Sequence, residues 1–103
     1  MNIFQLHSTV DPTLEKPVFN VLFNSDYARE VCITMRAGHI IAEHKAASPI
    51  AVHVVNGDIL FGLDNNEHHL QTGNIITVPA NELHYLKANS DSIIRLTIFK
   101  VKQ

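Results

Sequence analysis

Two histidines stand out by their surroundings. His44 lies six positions after Gly38 in GHIIAEHKAASPIAVHVVNG (38–57), and His84 ends GNIITVPANELH (73–84), where Gly73 is followed by Pro79. Each stretch sets a glycine, a short apolar run and one histidine expected to face inward, His44 in the first and His84 in the second, so the second reads as an echo of the first. A neutral imidazole offers one donor and one acceptor nitrogen, ligates metals and titrates near neutral pH. A pair of them on one wall could contact a small ligand, hold a divalent metal or move a proton. The structural alternative is a buried histidine bonded to a backbone or hydroxyl partner.

Other groups offer less. His68 and His69 are neighbours that face opposite ways on a strand, which makes them surface or rim residues. His7 lies near the start and carries no pattern. Cys32 is a lone cysteine with no neighbour in sequence to lower its pKa, and it reads as a small packed hydrophobe. For acid–base chemistry a carboxylate should orient the histidine. Glu43, next to His44, points to the opposite face of a strand, and Glu82 falls in the turn before His84, at the mouth of any cavity there. No Gly-x-Ser-x-Gly elbow or phosphate-cradling glycine loop occurs.

Strands must position these groups. Short runs at 18–23, 29–36, 39–45, 50–55, 58–63, 67–70, 74–78, 83–88 and 92–101 are bounded by turn residues, and none has a helical period. In 29–36, Val31, Ile33 and Met35 alternate with Glu30, Cys32, Thr34 and Arg36, predicting one buried face and one half-polar face. Asn56-Gly57 between two apolar runs predicts a type I′ hairpin. Residues 1–17, broken by Asp11-Pro12 and Lys16-Pro17, predict an arm or a short edge strand. Nine short strands in 103 residues predict a single all-β domain, a jelly roll or an immunoglobulin-like sandwich.

The two glycine–histidine stretches resemble the paired motifs of the cupin superfamily, over roughly residues 30 to 100. The resemblance implies a cupin-type jelly-roll barrel, the double-stranded β-helix. In a metal-binding cupin the first motif supplies His-x-His and a glutamate, and the second supplies one more histidine. Here His44 and His84 match the first and last ligands, Ala46 and Ile50 stand at the other two positions, and Asn81 replaces the glycine that follows the proline. Two histidines alone hold a metal weakly, so no cofactor is expected beyond a loosely bound divalent ion. Strand parity with His44 turns Ala46, Ile50, Val52 and Val54 into one apolar wall and turns His39 and His53 outward. The ligand-contacting residues expected from this register are His44, His84, Ala46, Ile50 and Val52.

This reading predicts a barrel that binds a small, partly apolar molecule in a binding or sensing role. A metal-dependent dioxygenase or isomerase built on His44 and His84 is the alternative. Ten acidic against eight basic residues give a formal net charge of -2, which lacks the basic excess that nucleic acid requires. One cysteine forms no internal disulfide, the start lacks a signal-like apolar stretch, and no run reaches the roughly 20 apolar residues of a membrane helix. A cytoplasmic protein is therefore expected. A homodimer is expected too, through an outer sheet face bearing His53, Val55, Leu60, Tyr85, Ile93, Thr97 and Phe99.

Overall fold

A computed structural model describes residues 1–100 of the chain. It contains nine strands: β1 (Val18–Asn24), β2 (Ala28–Met35), β3 (Ile40–His44), β4 (Ile50–Asn56), β5 (Asp58–Leu63), β6 (Asn66–Gln71), β7 (Ile75–Val78), β8 (His84–Ala88) and β9 (Ser92–Phe99). The predicted last strand ran on to Val101, which lies outside the described residues. Residues 1–17 form no strand and are an arm. The strands make two antiparallel sheets, one of five in the order β1-β2-β9-β4-β7 and one of four in the order β3-β8-β5-β6. This all-β arrangement is the double-stranded β-helix.

The sheets face each other across an apolar core. Alternation supplies it, because residues two apart on a strand share a face. Val31, Ile33 and Met35 from β2, Val52 and Val54 from β4, Ile59 and Phe61 from β5, and Ile94 from β9 all point inward. The long β2–β9 ladder, from Ala28↔Phe99 to Met35↔Ser92, fixes the middle of the five-stranded sheet.

Two local expectations fail here, each for a physical reason. Asn56-Gly57 is not a hairpin, since β4 and β5 belong to different sheets and the dipeptide is the corner between them. Asn56 keeps a negative φ, while Gly57 sits at φ 133°. A Cβ at Gly57 would run into Ser92, whose Oγ accepts from the Asp58 amide at 3.1 Å. The primed turn is instead Asp64-Asn65, with φ of 55° and 61°, between β5 and β6 where Leu63 pairs with Asn66.

The second failure concerns the polar face of β2, which is buried as well. Glu30 is 4% exposed, Cys32 0% and Thr34 5%. β2 lies between β1 and β9, and the arm reaches over the outer side of β1: Phe4 packs on Phe23, and the His7 ring meets the Asn20 side chain. Glu30 is satisfied there by Arg95, through bonds of 2.9 and 3.1 Å, and by the Thr97 hydroxyl at 2.7 Å.

Candidate functional site

β3 and β8 pair at the edge of the four-stranded sheet. Ile40 faces Lys87 and Ile41 faces Leu86, then a bulge intervenes and His44 faces His84. The two histidines are thus cross-strand neighbours, with ring centroids 4.3 Å apart and planes at 61°. His84 is only 2% exposed and stacks on Phe61 at 5.6 Å and 11°. His44 lies further out and is exposed.

Each ring is anchored in the same way. Nδ1 of His44 donates to the Ala42 carbonyl at 2.8 Å, and Nδ1 of His84 donates to the Glu82 carbonyl at 2.9 Å. A carbonyl oxygen only accepts, so both protons sit on Nδ1 and each neutral ring keeps a lone pair on Nε2. Burial pushes the His84 pKa below the ordinary histidine range; the Glu82 carbonyl opposes this and the nearby His44 reinforces it. His84 is therefore a neutral acceptor at neutral pH.

Both rings line a half-open cavity of about 470 Å3 between the sheets. Ile50 and Val52 line it as expected, but from the five-stranded sheet, opposite the histidines. Counting parity from His44 to Ile50 fails because residues 45–49 cross from one sheet to the other. Ala46 is not on the cavity wall: it packs against the core, and its carbonyl accepts from the Asn81 amide at 2.7 Å. Val54 is buried deeper. Glu43 was expected to face away from the cavity, yet the bulge in β3 lets Ala42, Glu43 and His44 all border it. Glu82 lies instead in a polar cleft with Asp64, Glu67 and Tyr85.

The sequence reading missed Phe19, Ile33, Ile41, Leu86 and Leu96, which complete the apolar lining. Alternation already marked Ile33 as inward, but only the pairing of β2 with β1 and β9 shows that this face meets the histidines. The remaining histidines lie elsewhere. His39 accepts from the Arg36 amide at 3.1 Å, His53 faces Arg95 on the outer side, and His69 bonds Asp58 at 2.6 Å. Asn81, at the position of the motif glycine, takes φ 66°, a left-handed conformation that asparagine tolerates better than most residues.

Fold and site together define a small double-stranded β-helix whose mouth is marked by a histidine pair. The model of the cupin domain family matches residues 31–99, and the chain belongs to that family. No match is found among curated protein sequences. Among solved structures, an RmlC-like cupin protein from Desulfovibrio desulfuricans is 20% identical at a TM-score of 0.86, covering 96% of both chains. A conserved protein of unknown function from Streptococcus pyogenes is 17% identical at 0.80, covering 100% of this chain and 98% of that one. KdgF from a Halomonas species is 17% identical at 0.77, covering 97% and 96%.

The metal that many cupins carry does not fit the residues present. A catalytic site of that kind takes about three protein ligands and an open position. Among the described residues no three histidine, cysteine, aspartate or glutamate side chains cluster to hold an ion. The side chains of Ala46 and Ile50 offer no donor atom, and the first of them is not part of the cavity lining.

Proposed function

We propose that the protein binds a small, partly apolar molecule in the cavity between its sheets, in a binding or sensing role. The observation that carries this reading is the make-up of the cavity. Its walls are apolar side chains from both sheets, interrupted by Glu43 and by two imidazoles that each spend Nδ1 on a backbone carbonyl. A volume of about 470 Å3 lies within the range of roughly 300 to 1,000 Å3 typical of small-ligand pockets.

The test is a screen of neutral aromatic fragments by amide chemical-shift mapping. Binders are expected to perturb Ile33, Val52, His84 and Leu86. Ala42 is exposed and lines the mouth, so Ala42→Trp should block the cavity and abolish those shifts without disturbing the core. Shifts that map only to the outer faces, or that persist in Ala42→Trp, would overturn the reading.

A metal-dependent dioxygenase or isomerase is the second reading. It is favoured by the anchored Nδ1 atoms, because metal-ligating histidines are commonly oriented by a backbone carbonyl on the other nitrogen. The shortage of donors counts against it. Protein purified without chelators is expected to carry well under one equivalent of any transition metal; a full equivalent that survives dialysis would favour the enzyme.

A further inference from the structure

The tautomers of the two histidines say what kind of head group the cavity accepts. With Nδ1 of each ring spent on the carbonyl two residues before it, Nε2 is the free nitrogen, and in a neutral ring it can only accept. Among the described residues no protein group bonds either Nε2. Nor does any buried side-chain nitrogen or oxygen there lack a partner, so the Nε2 of the buried His84 must open onto the cavity that the ring lines. The wall thus presents two acceptors side by side. The stack on Phe61 fixes the plane of the His84 ring.

The rest of the lining narrows the choice further. Among the described residues it contains no lysine or arginine, and the one charged side chain there is Glu43, an acid at the mouth. A carboxylate or phosphate head would bring a negative charge into an apolar space with no counter-ion, against two lone pairs and a carboxylate. A head that only accepts, such as an ether, would leave both Nε2 atoms facing another lone pair. A hydroxyl or amine on an apolar body satisfies the wall instead.

We propose that the cavity selects ligands with an apolar body and a hydrogen-bond-donating head, of the phenol, alcohol or amine kind, and rejects carboxylates and phosphates. This rests on the reading of the cavity as a ligand site. The low proton affinity of His84 supports it, because burial keeps that ring an acceptor rather than an ammonium-like donor that would welcome an anion.

Three probes with one body separate the possibilities: a naphthol, its methyl ether and the corresponding naphthoate, titrated near neutral pH by calorimetry and by nitrogen NMR of the imidazoles. The naphthol is expected to bind at least tenfold more tightly than either relative. It alone should shift the Nε2 resonances of His44 and His84, and the latter should show the unprotonated signature before ligand is added. In His44→Phe, where the ring is exposed, and in His84→Phe, where the stack on Phe61 is kept, the preference for the naphthol over its ether should shrink. If His84→Phe does not fold, the wild-type Nε2 shifts and the His44→Phe comparison still decide. Equal binding of all three probes, or a preference for the naphthoate, would overturn the donor-head proposal and leave the ligand site standing. No binding by any of them would overturn the ligand site itself.

Discussion

At the scale of single residues, His84 links the site to stability. Its folded-state pKa is lowered, chiefly by burial, whereas in the unfolded chain it titrates near the ordinary value of about 6.5. Between those two values the unfolded state binds the proton and the folded state does not, so stability rises with pH across that window. The contribution of His84 is full above about pH 6.5 and is lost progressively as the pH falls toward the depressed folded value, at about 1.4 kcal/mol for each unit separating the two. Chemical denaturation at a series of pH values is expected to show this loss, and His84→Phe should flatten that part of the curve. A slope unchanged in the variant would assign the pH dependence to other groups. The histidines themselves were legible in the sequence because their motifs set them apart. Their tautomers were not, since these depend on carbonyls that only the bulge in β3 and the turn before β8 bring to Nδ1.

At the scale of elements, all nine strands could be read from alternation and turn residues, because both signals are local. What could not be read is which sheet each strand joins. The corner at Gly57 and the turn at Asp64-Asn65 show the difference: both have turn-forming residues, but only the second links strands that pair. Gly57→Ala should therefore cost about 1 to 3 kcal/mol, from a strained φ and the collision with Ser92. Asn65→Gly, where φ is already 61°, should be neutral or slightly stabilising. Equal losses at the two sites in thermal or urea unfolding would contradict this assignment. Glu30 teaches the same lesson, because its partner Arg95 is 65 residues away along the chain and no local pattern announces it. Arg95→Leu leaves the buried Glu30 carboxylate with only the Thr97 hydroxyl and should cost about 1.5 to 3 kcal/mol. Adding Glu30→Leu should recover much of that loss, since an apolar pair of similar volume removes the orphaned charge; a further loss in the double variant would show that the pair contributes net stability.

At the scale of the whole molecule, the expected homodimer must use a different surface from the one alternation proposed. Leu60 and Tyr85 lie on the four-stranded sheet, His53, Thr97 and Phe99 lie on the five-stranded one, and Ile93 is buried, so these residues do not form one face. The outer side of the five-stranded sheet is itself divided. The arm reaches over it at β1, through Phe4 on Phe23 and His7 on Asn20, while β9, β4 and β7 carry Thr97, Ala51, His53, Thr77 and Ile75 on the same side. Ile75 is 62% exposed and Phe99 41%. Among the described residues of β9, β4 and β7 the charged side chain on this side is Arg95, which is paired with Glu30, and this favours contact with a second copy. A two-fold contact pairs the patch with itself, and a stable one buries roughly 800 Å2 per partner, about an eighth of the 6520 Å2 surface of this chain. Light scattering coupled to size exclusion is expected to give twice the 11.5 kDa chain mass at micromolar concentration. Ile75→Lys should return it to a single chain, because the substitution sets two ammonium groups near the centre of a two-fold contact while leaving the core untouched. A wild-type mass of one chain at every concentration would mean that the face stays open to solvent. A dimer that survives Ile75→Lys but is lost when residues 1–10 are removed would place the contact in the arm instead.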